Sequence, residues 1–126
     1  MLKKKYVIWI TGLSGSGKTS IGKLIKNDVE KLIGPTILIH GDEIRNLFNL
    51  KSYQRKDRFK IAMTYSKLCK LLNKQNINVI FTVVGLFHKI HRYNRINHKN
   101  YIEIFIKSNI KKIITNKKKK NLSKKI

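Results

Sequence analysis

The stretch Gly12-Leu13-Ser14-Gly15-Ser16-Gly17-Lys18-Thr19-Ser20 constrains this chain more than any other. It follows the apolar run Tyr6-Val7-Ile8-Trp9-Ile10. It opens onto Ile21, Ile25, Val29 and Leu32, which mark one face of a helix from about Thr19 to Ile33. A G-x-x-x-x-G-K-[ST] spacing set between a strand and a helix is that of a phosphate-binding loop. Its glycines let successive backbone N–H groups turn inward, and the helix start adds the positive end of its dipole. Gly12, Leu13, Ser14, Gly15, Ser16, Gly17, Lys18, Thr19 and Ser20 are therefore expected to hold nucleotide phosphates. Lys18 would reach the β- and γ-phosphates, and the Thr19 hydroxyl would be a Mg²⁺ ligand. A merely flexible glycine turn leaves Lys18 and Thr19 unexplained.

Strand and helix patterns go on alternating beyond the loop. Gly34-Pro35 stops the first helix. Thr36-Ile37-Leu38-Ile39-His40 reads as a short strand, Gly41 to Arg45 as a turn into a short helix, and Asn49 to Lys56 as a polar link. Ile61, Tyr65, Leu68 and Leu72, flanked by Ala62 and Cys69, line one face of a helix starting near Asp57. Val79 to Val84 is a continuous apolar run suited to a strand covered on both faces. Phe87 to Ile96 reads as a helix, and Tyr101 to Ile106 as a fourth strand. The alternation implies an α/β fold, a parallel sheet of about four strands with helices on both faces. Ligands of such sheets bind at the carboxyl ends of the strands, so Gly12 to Thr19, Gly41 to Arg45 and Gly85 to His88 should share one rim.

At 126 residues the chain has room for one domain. Residues 1–107 form the expected core. Residues 108–126 carry a lysine-rich tail in which four consecutive lysines from Lys117 repel one another and favour fraying. The basic start and short apolar run do not complete a secretory signal, and no run approaches the roughly 20 apolar residues of a membrane span. The single cysteine, Cys69, builds no disulfide framework and is most simply a small buried residue. A cytoplasmic setting follows as the expectation. The net charge of +23 invites a nucleic-acid reading. Its make-up argues against one, because 24 of the 29 basic residues are Lys and only 5 are the Arg that reads bases and phosphates bidentately. The charge is expected on a solvated lysine surface.

Asp42 lies just past the second strand and can face the phosphate loop, where a carboxylate holds Mg²⁺ through water or accepts a proton from an attacking hydroxyl. It can equally cap the short helix. Arg45, three residues on, can clamp an anionic substrate or form a surface ion pair with Asp42 or Glu43. Arg55 and Arg58, scarce arginines in a lysine-rich chain, are candidates for bidentate anion contact. His88 and His91 have a spacing that metal sites use, but lack a neighbouring Cys, His or carboxylate in sequence and read as surface residues.

Ile8-Trp9-Ile10-Thr11-Gly12-Leu13-Ser14-Gly15-Ser16-Gly17-Lys18-Thr19 with His40-Gly41-Asp42-Glu43-Ile44-Arg45 resembles the adenylylsulfate kinases, marked by W-x-T-G-L-S-G-x-G-K-[ST] and D-G-D-x-x-R. Tyr65 to Leu72 and Phe87 to Arg95 look like a branch of small bacterial proteins of that group. The resemblance runs from about Tyr6 to Ile106. It implies a P-loop NTPase-like fold and transfer of the γ-phosphoryl group of Mg-ATP to the 3′-hydroxyl of adenosine 5′-phosphosulfate, an activation of sulfate. By position it implies Lys18 and Asp42 as catalytic residues, Thr19 and Asp42 as the Mg²⁺ site, and Arg45 and Arg55 as contacts to the adenylylsulfate. Tyr53 falls where the family packs an aromatic on the substrate base. The partners implied are small nucleotides, and a homodimer is compatible with the pattern.

The chain departs from the family pattern at His40, which stands where the first Asp of D-G-D would be. It departs again at Gln54-Arg55 for Asp-Arg, at Arg58 for a common Asn, and at Gly85 for a Ser. The family also continues past the fourth strand with an R-D-x-K-G-L-Y lid, of which Lys120-Asn121-Leu122-Ser123 is a faint echo. A core without that lid is expected to bind ATP weakly and transfer slowly. The alternative reading is a non-catalytic nucleotide-binding remnant of such a kinase.

Overall fold

A computed structural model describes residues 5–50, 54–84 and 87–107. Tyr53, Gly85 and the tail from 108 to 126, with its faint lid echo, lie outside the described residues.

Eight elements follow in order: β1 (Val7–Gly12), α1 (Lys18–Ile33), β2 (Thr36–His40), α2 (Gly41–Leu47), α3 (Arg55–Lys74), β3 (Asn78–Val84), α4 (His88–Asn97) and β4 (Tyr101–Ile106). The strands form one parallel sheet in the order β2-β3-β1-β4, so the two most apolar strands, β1 and β3, lie in the middle. Val7, Trp9, Val79 and Phe81 face α3 and α4 in one cluster, where Trp9 stacks on Phe81 at 5.6 Å between ring centroids. Ile8, Ile10 and Ile80 face the other way, onto Ile21, Ile25 and Val29 of α1. Burial on both faces explains why these strands read as unbroken apolar runs rather than alternating ones. Among the described residues, no helix is long and apolar enough to cross a membrane.

Three details differ from expectation. Leu32 is 83% exposed, because the row of α1 that meets the sheet steps by four from Ile21 through Ile25 to Val29 and leaves Leu32 to one side. Helix α3 begins at Arg55 rather than Asp57, so Arg55 and Lys56 belong to its first turn. The largest difference is in α4, which buries His91 and Asn94 beside Ile90: His91 is 7% exposed and Asn94 fully buried, while Ile96 is 76% exposed. The reading of His91 as a surface residue is corrected by this. Its polar face is buried because its groups satisfy one another and their neighbours.

The Ser66 hydroxyl of α3 donates to Asn94 Oδ1, and His98 Nε2 lies 2.9 Å from the same hydroxyl oxygen. A serine hydroxyl has one proton, so His98 Nε2 carries the other and donates it. Asn94 Nδ2 donates to Tyr101 Oη at 3.3 Å, and the Tyr101 hydroxyl donates to Glu103 Oε1 at 2.9 Å. Arg95 closes on the same carboxylate, with His91 Nδ1 4.0 Å away. Burial pushes the Glu103 carboxyl up, but the bonds from Arg95 and Tyr101 outweigh it and hold the group below the usual carboxylate range. This polar chain ties α3, α4 and β4 together behind the cleft described next.

Candidate active site

The carboxyl ends of β1, β2 and β3 open onto one rim, as the topology requires. At β1 the chain turns through Gly15 at φ 80° and Gly17 at φ 102°, left-handed conformations that a Cβ would strain. Gly12 needs its bareness for another reason: a Cβ there would lie 2.8 Å from Ser16 Oγ and 2.9 Å from the Ile106 carbonyl oxygen. The Lys18 side chain folds back over the loop, and its Nζ donates to the Leu13 carbonyl at 2.8 Å. Burial lowers the Lys18 ammonium from its ordinary value, with Asp42 opposing the shift. The capping residue of α1 is Gly17, which has no side chain to occupy the first N–H groups of the helix. Ser16 Oγ is buried without a hydrogen-bond partner among the described residues. Donors without acceptors, close backbone and a helix start are together what a chain of phosphates fits.

At the end of β2, Asp42 is the second residue of α2. His40 occupies the capping position, and no side chain makes a capping hydrogen bond there, so Asp42 is not the helix cap. Its carboxylate is exposed and faces both parts of the cleft. The smaller part, about 250 Å³, is lined by Ser14, Gly15, Gly17, Lys18, Thr19, Ser20, Asp42, Thr82 and Val84. The larger, about 460 Å³, lies between α2, α3 and the end of β3 and is lined by charged Asp42, Arg45 and Arg58, by Asn46 and Tyr65, and by apolar Ile61, Ala62, Val83 and Phe87. Ser14, Asp42 and Val84 line both, so the two parts form one continuous cleft.

The residues expected from sequence are thus distributed unevenly. Lys18, Thr19 and Asp42 converge on the smaller part, and Asp42, Arg45 and Arg58 on the larger. The Arg58 side chain makes no hydrogen bond or ion pair among the described residues. Arg55 does not line the cleft. Its guanidinium stands 5.5 Å from the centre of the Phe87 ring, and Phe87 itself lines the larger part, packed edge-on against Phe59 at 6.1 Å. Tyr65, read from sequence as core, also contributes to the cleft wall. Its hydroxyl donates to the Gly41 carbonyl at 2.9 Å, and burial pushes that hydroxyl up to about 12, Arg45 and Asp42 adding smaller opposed effects. His88 and His91 pack edge-on at 6.4 Å, and no group of three metal-binding side chains occurs among the described residues.

A family model for adenylylsulphate kinase matches residues 4–126. The chain is 38% identical over 114 residues to cytidine diphosphoramidate kinase of Campylobacter jejuni, covering 90% of this chain and 67% of that protein. Adenylyl-sulfate kinase of Pseudomonas aeruginosa is 30% identical over 103 residues, covering 79% of this chain and 53% of that protein. The chain therefore spans between about half and two thirds of these relatives. Among solved structures, the Mycobacterium tuberculosis APS kinase in complex with AMPPNP and APS aligns with a TM-score of 0.79 at 22% identity, over 98% of this chain and 74% of that one, a likeness of fold. With the phosphate loop, the G-D-x-x-R turn and the shared cleft in place, the chain belongs to the adenylylsulfate kinase family.

Proposed function

We propose that this chain is an ATP-dependent phosphotransferase whose acceptor is a nucleotide bearing a second tetrahedral anionic group at its 5′ end. The observation that carries this reading is the sharing of Ser14, Asp42 and Val84 by the two parts of one cleft. A donor phosphate on the loop and an acceptor beside Arg45 and Arg58 would meet at Asp42. Both adenylylsulfate and cytidine diphosphoramidate have the required form. Cytidine diphosphoramidate is favoured, since identity is 38% to the kinase named for it against 30% to the Pseudomonas adenylyl-sulfate kinase. Of the departures from the family pattern, Arg58 lines the acceptor side.

In the proposed reaction a ribose hydroxyl oxygen of the acceptor attacks the γ-phosphorus, its bond to the β-bridging oxygen breaks, and ADP leaves. The hydroxyl proton passes to the Asp42 carboxylate. Lys18 and the loop N–H groups hold the donor phosphates as charge moves toward the leaving oxygen. Arg45 and Arg58 orient the acceptor's anionic end. Thr19 with Asp42, through water, would hold Mg²⁺, which neutralises charge on the phosphates when bound.

The test is ADP formation from Mg-ATP with each acceptor in parallel, with Lys18→Ala as blank. Turnover should fall by about 10²-fold or more on removing this preorganised cation. Equal rates for the two proteins would end the enzyme reading. Saturable ATP binding without turnover would favour the non-catalytic alternative. Faster turnover with adenylylsulfate than with cytidine diphosphoramidate would reverse the order of acceptors.

A further inference from the structure

We propose that Tyr65 is a positioning residue that sets the place of Asp42, by pinning the β2–α2 junction against β3 together with His40. This rests on the phosphotransferase reading above and adds to it a residue with no place in the loop or turn motifs.

The junction is three residues long, His40-Gly41-Asp42, and each of the first two is fixed. His40 Nδ1 and the Thr82 hydroxyl are hydrogen-bonded at 2.7 Å across the β2–β3 pair, where the two residues are in register. Gly41 is buried so tightly that a Cβ would lie 3.0 Å from the Thr82 carbonyl oxygen and 3.1 Å from Cε2 of Tyr65. The Tyr65 hydroxyl also donates to the Gly41 carbonyl at 2.9 Å. The Tyr65 ring is itself held, 4.8 Å from Phe81 between centroids and 4% exposed. A seven-residue helix has little stability of its own, so its direction is set by what holds its start. Asp42 is the next residue and hangs from this point. Because burial keeps the hydroxyl protonated far above neutral pH, it remains a donor throughout the working range.

A small displacement of a group that must meet both donor and acceptor lowers turnover far more than it lowers binding of either. Tyr65→Phe keeps the packed ring and removes only the hydroxyl. We expect kcat to fall about tenfold, KM for ATP to stay within about twofold, and thermal stability to change little. In an Asp42→Asn background, measured by single-turnover transfer of labelled phosphate, the same change should cost nothing further. His40→Ala should behave as Tyr65→Phe does. An unchanged kcat in Tyr65→Phe, or the same fold loss with Asp42 already replaced, overturns the proposal.

If the unaltered protein transfers no phosphate to any acceptor, the phosphotransferase reading has failed, and the strut is judged by ADP binding with and without Mg²⁺ in calorimetry. Mg²⁺ should tighten ADP binding to the unaltered protein. That gain should shrink severalfold in Tyr65→Phe, with Mg²⁺-free binding unmoved, and an equal gain in both proteins overturns it.

Discussion

The two parts of the cleft are built in opposite ways. The part over the phosphate loop is made of backbone: two glycines in left-handed conformations, a third pressed against Ile106, and an uncapped helix start, with Lys18 the main side chain. The part between α2 and α3 is made of side chains from distant places, Arg45, Arg58, Tyr65 and Phe87. Backbone geometry has few solutions, and side-chain recognition has many. The first part should therefore fail outright when altered, and the second should change by degrees.

The largest effect tests the rigid part. Gly12→Ala forces a Cβ into the Ser16 hydroxyl and the Ile106 carbonyl, and the carbonyl cannot move without β4. We expect a loss of about 1–3 kcal/mol of stability, as for other overpacked sites, seen as a lower denaturation midpoint, and loss of measurable ADP binding in calorimetry. A protein that binds ADP normally would break the contrast.

Smaller, and confined to the other part, is the effect of Arg58→Ala. Removing one guanidinium from an anion contact should raise KM for the acceptor about tenfold while KM for ATP stays put, and Arg58→Lys should recover part of the loss. Equal shifts in both constants would show that the two parts are not separable in this way.

The smallest effect concerns the polar chain behind the acceptor side. Burial lowers the His91 imidazole below its ordinary value of 6.5, with Glu103 opposing and Arg95 and His88 adding to it. Burial likewise lowers His98, helped by Lys70. Below pH 6.5 the unfolded chain takes up protons that the folded chain resists. Stability is thus full above that value and declines as pH falls through it. Glu103, held below its usual range, adds a second decline once pH passes under 4.5. Urea midpoints between pH 7.5 and 5.5 should fall, and His98→Gln should flatten the slope. A slope unchanged in that variant would remove His98 as a cause.

The same contrast decides what was legible in the sequence. The loop motif is local and repeats a fixed spacing, so Gly12 to Ser20 could be placed before any contact was known. The four strands were legible as apolar runs, β3 as one covered on both faces, and Cys69 is buried as a small apolar-face residue should be. Tyr65 could not be found this way. Its apolar ring fits the helical period, and its polar role depends on a carbonyl 24 residues away. In α4, His91 looks like a surface residue until Glu103 of β4 is known to meet it. Arg55 illustrates a third case, where scarcity marked a residue that the fold sets on the Phe87 ring at the margin of the cleft.

The contact between Gly12 and Ile106 has a mechanical side. The first glycine of the phosphate loop leans on the last residue of β4, so Lys107 follows from beside the loop rather than from a remote edge. Tension or crowding applied there would bear on the loop through that contact. A tag or fusion joined just after Lys107 would for that reason act as a perturbation of the donor side, whereas one joined at the start of the chain, ahead of the opposite end of β1, would act as a spectator.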